Sequence, residues 1–220
     1  MENHVFNIDC MEAMKETEDN YYDLAIVDPV YGDVTKGGYM SNSNSHARKA
    51  RAIEYNNALW SQKKTPSEYF DELFRISKNQ IIWGGNYFTK EIHRDSQGWI
   101  VWDKKHPEGI CFADCELAFT SFNRATRIFR YRWQGMLQED MKNKEKRIHT
   151  CQKPVALYEW ILKNYAKEGD KILDTHVGSG SSRIAAYNLG FDFTGYEIDP
   201  EYWKAQEERY KKHTSQLRLF

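Results

Sequence analysis

Short apolar runs that end at an acidic residue recur along the chain. Residues 5–9 (VFNID) and 22–28 (YDLAIVD) have this form, and a helical segment, CMEAMKETE, lies between them. Residues 98–103 (GWIVWD) repeat it, whereas the run QIIW, at residues 80–83, ends at two glycines. Short apolar runs bounded by polar and turn residues predict buried β-strands.

Segments with helical spacing of apolar residues separate these strands. Residues 66–78 place Tyr69, Leu73 and Phe74 on one face behind a proline, and a second such helix follows Pro154. Towards the carboxyl end, ILDTHVGSGSSRIAAYNLGF and DFTGYEIDPEYW predict strand, glycine-rich turn, helix, strand and helix. This alternation predicts an α/β fold, in which a Rossmann-like, mainly parallel sheet carries helices on both faces.

The alternation is interrupted between residues 104 and 150. There the runs CELAFTSF and TRIFRYRW follow one another without an intervening helix. We therefore expect a small β-rich insertion at 104–150, placed between a first half, residues 1–103, and a second half, residues 151–220, of the same domain. Residues 33–60, rich in Gly, Ser and Asn and then basic, predict a mobile loop of the kind that covers a binding site.

Composition narrows the class of protein. With 220 residues, 40% of them hydrophobic, the chain can bury one sizeable core, which predicts a single main domain. Its 31 basic and 32 acidic residues nearly balance, so a polyanionic partner has to be bound by a local patch. Neither a signal-peptide pattern nor an apolar run of membrane-spanning length is present, which predicts a soluble, cytoplasmic protein. The 4 scattered cysteines predict reduced thiols and no metal site.

The glycine-rich turn predicts a nucleotide-type binding site. In ILDTHVGSGSS an apolar strand delivers Asp174, and Gly178 and Gly180 allow a tight turn before a helix begins. Glu197 ends the next strand, where an acidic side chain can bind two ribose hydroxyls. A dinucleotide fingerprint requires a third glycine where this chain has Arg183, so NAD is the weaker interpretation. A turn that merely caps a helix is the other alternative.

Two motifs, taken in order, resemble a known family. DPVYG, at residues 28–32, resembles the DPPY signature of DNA amino-methyltransferases, and DTHVGSGSS resembles their loop for S-adenosylmethionine (AdoMet). The catalytic motif comes first, and QKPVALYEWILKNY and the glycine loop come later, as in the beta class of adenine-N6 and cytosine-N4 methyltransferases. The resemblance implies that 1–103 is the catalytic half, 104–150 a target-recognition insertion, and 151–220 the AdoMet-binding half.

The resemblance assigns the chemistry to the first motif. An exocyclic amine on adenine is a weak nucleophile, because its lone pair is delocalised into the ring, and an enzyme must accept its N–H bonds. Asp28 and the Pro29 carbonyl are the implied acceptors, and Tyr31 would stack on a base flipped out of the duplex. A plain Asp-Pro turn with a core tyrosine is the structural alternative.

Two departures from the family pattern bear on activity. Val30 stands where the signature has a second proline, which loses a locked φ angle and leaves the Pro29 carbonyl in place. We therefore expect activity that is retained but slowed. HTCQKP stands where the family has HPTQKP, so the resemblance assigns no contact to Thr150 or Cys151.

The resemblance also implies a cofactor site. Asp9 and Cys10, in NIDCMEAM, resemble the segment that contacts the adenine of AdoMet, although Asp9 can equally be the N-cap of a helix. The implied set is Asp9, Cys10, Lys153, Asp174, His176, Gly178, Gly180, Ser181, Ser182, Glu197 and Ile198.

Basic residues predict the surface for DNA phosphates. Residues 117–138 contain no acidic residue, and on a strand Arg130 and Arg132 would share a face opposite to that of Arg127 and the aromatic residues. A solvated strand face is the alternative. The predicted DNA-binding residues, which include a second patch in the mobile loop, are Arg48, Lys49, Arg51, Arg124, Arg127, Arg130 and Arg132.

These features together predict a site-specific methyltransferase that uses AdoMet to methylate the N6 amino group of adenine in double-stranded DNA. Cytosine-N4 methylation is the nearest alternative, although that group more often has Ser at the position of Asp28. A weak or inactive AdoMet- and DNA-binding relative, and an RNA or small-molecule methyltransferase, are the others. The family occurs in restriction-modification systems. The small recognition region predicts a short DNA site or help from a second subunit in a homodimer.

Overall fold

Strands and helices alternate through most of the computed structural model, which describes residues 2–32, 63–106, 113–134 and 137–215. The strands are β1 Asn3–Phe6, β2 Tyr22–Val27, β3 Ser77–Trp83, β4 Trp99–Asp103, β5 Cys115–Thr120, β6 Arg127–Arg130, β7 Trp133–Gln134, β8 Leu137–Gln138, β9 Lys171–Asp174 and β10 Asp192–Tyr196. The helices are α1 Cys10–Glu16, α2 Ser67–Ile76, α3 Thr89–Ile92, α4 Val155–Tyr165, α5 Ser181–Leu189 and α6 Pro200–Ser215.

One mixed sheet organises the fold. Its 8 strands lie in the order β1-β10-β9-β2-β3-β5-β4-β6. β5 runs antiparallel to β3 and β4, and the other neighbouring pairs are parallel. The carboxyl ends of the parallel strands therefore share one edge with the start of β5. We call it the carboxyl edge, and it is where open α/β sheets bind ligands.

The predicted insertion contributes two strands to this central sheet. Ala118 of β5 is fully buried and pairs with Trp83 of β3 and Ile100 of β4. β6 then pairs in parallel with β4, while β7 and β8 form a separate two-stranded sheet. The run at 126–133, expected as one strand, is broken after β6. The backbone N–H of Arg132 donates to Glu139, the residue after β8, and Trp133 pairs with Gln138 of β8.

Both faces of the sheet are covered by helices, which explains why the strand sequences are uninterrupted apolar runs. Leu24 and Ile26 of β2 pack in a cluster that includes residues of α4 and α5, and the alternate residues Ala25 and Val27 pack in one with residues of α1 and α2. The Rossmann-like α/β class with helices on both faces is thereby confirmed. Within the part of the chain that the structure describes, no helix has the length and apolar character that a membrane crossing requires.

Candidate active site

The segment after β2 forms the centre of the carboxyl edge. Asp28 follows the last residue of the strand, and its Oδ1 accepts a hydrogen bond from the Tyr31 hydroxyl. Where the family signature has its second proline, the Val30 carbonyl accepts the backbone N–H of Thr65 at 3.0 Å and the Thr65 hydroxyl at 3.1 Å. These bonds anchor the turn from outside, so part of the rigidity lost with the proline is supplied by Thr65.

The Tyr31 ring lies against Gly84, the first of the two glycines at which the run QIIW ends. Gly84 has φ +65°, and a Cβ built on it would lie 2.2 Å from the Tyr31 ring, so no other residue fits there without displacing the tyrosine. Tyr87 and Phe88 pack on the same ring, with centroid distances of 5.2 and 5.8 Å. Burial and the adjacent Asp28 carboxylate raise the pKa of Tyr31 well above its usual value, so its hydroxyl remains a donor.

Lys153 lies against the Asp28 carboxylate. The sequence predicts this lysine in the cofactor site, but the structure places its Nζ in an ion pair with Asp28 Oδ2. Nζ also lies 3.3 Å from Glu116 Oε2 and 5.3 Å from the centre of the Trp83 ring. Burial would lower the pKa of Lys153, but the Asp28 and Glu116 carboxylates raise it above its ordinary value. The lysine is therefore charged.

Glu116 is a site residue that the sequence reasoning missed. Its Oε1 accepts from Lys104 Nζ at 2.5 Å, and its other oxygen faces Lys153. Burial would raise the pKa of Glu116, but Lys153 and Lys104 lower it below its ordinary range. The signal was present in CELAFT, where an acidic residue is second in a mainly apolar strand, and Lys104 directly follows the end of β4.

The glycine turn follows β9 as predicted. Gly178 and Gly180 have φ +51° and +74°, and Gly180 is the residue that precedes α5. Asp174, 2% exposed, accepts the Ser182 hydroxyl at 2.5 Å and the His176 backbone N–H at 3.0 Å. Burial raises the pKa of Asp174 to about 7.

Glu197 connects the end of β10 to the glycine turn. Its Oε2 accepts the Gly178 N–H at 2.8 Å, and its Oε1 accepts the Asp199 N–H at 2.9 Å. Burial raises the pKa of Glu197. The next residue, Ile198, is 52% exposed, so an apolar side chain stands open beside the carboxylate. The amide of Asn7 donates to the Glu197 carbonyl at 2.7 Å, which brings the end of β1 alongside.

Asp9 is placed as a helix cap. Its Oδ1 accepts the Met11 backbone N–H at 2.8 Å at the start of α1, which is the alternative that the sequence left open. Burial, together with Asp9, raises the pKa of Cys10 to about 12, so the thiol is neutral.

Two histidines lie near the glycine turn. Burial lowers the pKa of His176 to about 4, and its Nδ1 lies 2.9 Å from the Thr175 hydroxyl, which lies 2.5 Å from the Tyr69 hydroxyl. His149, in HTCQKP, was not predicted as a site residue. A Cβ built on Gly178 would lie 3.4 Å from its ring, and burial lowers its pKa to about 4. Both rings are therefore uncharged near neutral pH.

The remaining contacts of the turn are structural. Arg209 of α6 donates to the Ser179 carbonyl at 2.7 Å and to the Ser181 hydroxyl at 2.9 Å. The same guanidinium pairs with Glu145 at 2.6 Å. The turn is thereby tied to α6 and to the segment after β8.

The predicted DNA-binding arginines divide between the two edges of the sheet. Arg130 ends β6 beside Asp103 at the carboxyl edge, and Arg132 follows it. Arg127 pairs with Ile100 near the start of β4, so it lies at the opposite edge. Arg124, which precedes it, donates to the Asn164 carbonyl and lies 5.4 Å from the Tyr165 ring centre. The loop residues Arg48, Lys49 and Arg51 are outside the described residues.

The sheet and the glycine turn between two buried acids define the protein as a Rossmann-like α/β protein of the methyltransferase type. Within that class the chain belongs to the family described as DNA methylase, the N6/N4 methyltransferases, whose model matches residues 22–208. Members of this family take the methyl group from AdoMet.

Individual relatives agree with this assignment. M.HpaI, a type II methyltransferase of Haemophilus parainfluenzae, is 24% identical over 246 aligned residues, which cover 95% of this chain and 74% of M.HpaI. The structure of TTHA0409 from Thermus thermophilus, complexed with S-adenosyl-L-methionine, has a TM-score of 0.61 at 15% identity and covers 98% of this chain and 96% of its own. The cytosine-N4-specific PvuII DNA methyltransferase has a TM-score of 0.60 at 13% identity, with coverage of 97% and 90%. The two structures share the fold.

Proposed function

We propose that the protein transfers a methyl group from AdoMet to the N6 amino group of adenine in double-stranded DNA. The observation that carries this is the carboxylate of Asp28 at the carboxyl edge, followed by the Pro29 carbonyl and by Tyr31, whose hydroxyl donates to that carboxylate. An aromatic amine needs acceptors for its N–H bonds before its lone pair can attack, and the Asp-Pro turn provides two.

The residues at the glycine turn fit AdoMet, which supplies a methyl group activated on a sulfonium. Asp174 is a buried carboxylate suited to an ammonium group. The Glu197 carboxylate receives one backbone N–H on each oxygen, which leaves a lone pair on each for ribose hydroxyls. Ile198 offers an exposed apolar side chain for the adenine ring. Neutral His176 adds no positive charge beside a sulfonium.

The proposed DNA surface is at the carboxyl edge. Arg130 and Arg132 lie there, on the side of the sheet from which Asp28 must be reached, so we restrict the proposed phosphate contacts in the described chain to these two. Among the residues that the structure describes, no group of His, Cys, Asp and Glu side chains is arranged to hold a metal ion, and the proposed chemistry requires none.

Adenine is preferred over cytosine because Asp28 is a carboxylate, whereas the cytosine-N4 enzymes more often have a serine there. Cytosine-N4 is the second candidate, because the fold is also that of PvuII DNA methyltransferase, a cytosine-N4-specific enzyme.

Analysis of the methylated nucleoside tests the proposal. The protein is incubated with AdoMet carrying a labelled methyl group and with DNA of mixed sequence, and the DNA is then digested to nucleosides. We expect N6-methyladenine. N4-methylcytosine would contradict the choice of base, and label transfer to RNA alone would contradict the choice of substrate. Absence of label from all of these would contradict the reaction itself.

A further inference from the structure

Four charged side chains form a continuous row of ion pairs at the carboxyl edge. Lys104 pairs with Glu116, Glu116 faces Lys153, and Lys153 pairs with Asp28. We call them the Lys–Glu–Lys–Asp row. The two lysines and two carboxylates balance in charge, and the row joins distant parts of the chain: Lys153 and Asp28 are 125 residues apart.

The middle lysine is the most enclosed member of the row. Lys153 has 4% of its side chain exposed, against 15% for Asp28 and 30% for Glu116. An ammonium taken out of water is costly unless carboxylates surround it, and here two do. Asp28 thus meets a lysine whose charge is shared with a second acid.

We propose that Lys153 and Glu116 are positioning residues for methyl transfer, through which the row orients the Asp28 carboxylate and keeps it a strong acceptor for the target amine. Lys153 holds Asp28 Oδ2 while Tyr31 holds Oδ1, so the carboxylate plane is fixed at both oxygens. Glu116 draws part of the lysine charge to itself. This inference rests on the proposed role of Asp28 as the amine acceptor.

The balance of the reaction shows why the acceptor strength matters. The amine nitrogen forms a bond to the methyl carbon, the carbon–sulfur bond breaks, and its electron pair remains on sulfur. The positive charge passes to the amine, which then releases one proton to Asp28 and from there to water. A carboxylate neutralised fully by a lysine would be a poorer acceptor for that proton.

Other titratable groups near Asp28 also contribute to a pH profile of the reaction. Burial lowers the pKa of His149 and His176 to about 4 and raises that of Asp174 to about 7. Burial and Asp28 raise the pKa of Cys151. Tyr69 and Tyr158 are phenols whose pKa burial raises well above the usual value. Lys153 acts electrostatically on His149 and Cys151, and Glu116 acts on Cys151 and Tyr158. Lys153→Arg, which keeps the cation, therefore separates the row from these neighbours.

The test is the single-turnover rate of methylation against pH, with saturating DNA and AdoMet. Lys153→Met removes the cation beside Asp28, so the acid side of the profile should move to higher pH by about one unit. Glu116→Gln leaves the lysine charge to Asp28 alone, so the acid side should move to lower pH by a similar amount. Both should reduce the plateau rate by about 10-fold or more, and Lys153→Arg should recover part of it.

The matched control is a lysine–aspartate pair at the opposite edge of the sheet, with its aspartate on the strand that leads to Asp28. Lys78 Nζ lies 2.6 Å from Asp23 Oδ1, and Lys78→Met and Asp23→Asn should leave the profile unchanged. Thermal unfolding of each variant checks the fold, and Glu116→Gln, being isosteric, keeps the test valid if Lys153→Met is unstable.

The possible outcomes distinguish a failure of the positioning role from a failure of the proposed function. If the acid sides of the Lys153→Met and Glu116→Gln profiles shift in the same direction, or do not shift, the positioning role of the row is contradicted. A large loss of AdoMet affinity in Lys153→Met would overturn it too, because the lysine would then belong to the cofactor site. If the wild type makes N4-methylcytosine, the choice of adenine is wrong. Opposite shifts of the two pH profiles would still support the positioning role of Lys153 and Glu116.

Discussion

Asp28 and Asp174 stand at the carboxyl ends of neighbouring strands, β2 and β9, and their surroundings differ in kind. Asp28 has a lysine ammonium against it, whereas Asp174 is met by a hydroxyl and a backbone N–H. The first carboxylate suits a hydrogen-bond acceptor whose orientation is fixed by a neighbouring cation. The second, with its pKa raised by burial to about 7, suits a group that ionises when a cation arrives.

Substitution at the two ends of the site should separate catalysis from cofactor binding. Asp28→Ala should abolish methyl transfer and leave AdoMet affinity within a few fold, because the amine acceptor is lost and the glycine turn is intact. Glu197→Ala should weaken AdoMet binding by about 1.5 to 3 kcal/mol, through lost bonds to a charged group. Calorimetry gives both affinities. Weak AdoMet binding by Asp28→Ala, or full affinity of Glu197→Ala, would contradict the assignment.

AdoMet affinity should depend on pH through Asp174. In the free protein this carboxyl is protonated below about pH 7, and an ammonium favours its ionised form, so binding releases a proton there. Affinity should therefore rise with pH from the ordinary carboxyl range to about 7, by at most about tenfold per pH unit for one group.

Titration calorimetry in two buffers of different ionisation enthalpy measures the released proton. Asp174→Asn is the comparison, because Glu197 and both histidines are common to it and the wild type. Equal pH dependence in the two proteins would show that another group titrates.

At the scale of elements, β6 carries basic residues towards both edges of the sheet. Arg127 faces the end of α4 with Arg124, and Arg130 reaches the carboxyl edge. The first and last residues of β6 are about 10 Å apart along the strand, so the two ends of β6 meet different partners. The cluster of arginines in the sequence is therefore two separate groups in space.

DNA binding should depend on the carboxyl-edge group. The double substitution Arg130→Ala with Arg132→Ala should lower the slope of log K against log salt by about 0.9 for each phosphate that the protein no longer neutralises. Arg124→Ala with Arg127→Ala is the matched control, equal in charge removed and on the same segment, and it should leave the slope unchanged. Binding isotherms at several salt concentrations measure both. A larger effect of the control pair would move the interface to the other edge.

Local patterns and long-range pairing differ in how well the sequence predicts them. The apolar run at 22–28 and the glycines after β9 are local features, and the structure has a strand and a tight turn there. The addition of β5 and β6 to the main sheet depends on register with distant strands, which periodicity does not encode. For the same reason Lys153 and Glu116 were not predicted beside Asp28: side-chain contacts between remote segments follow from topology, not from spacing.

The strand order of the whole molecule has a consequence for how it is assembled. Among the strands that the structure describes, β1 is joined to the rest of the sheet through β10 and β9, with Asn3 paired to Phe193. A chain emerging from the ribosome can pair β2, β3, β5, β4 and β6 early, but β1 must wait until β10 has been made. Contacts between such distant segments carry a high loop-closure cost and slow folding. Until the two late strands insert, the nascent chain presents two open strand edges, and closing them is the step most exposed to aggregation.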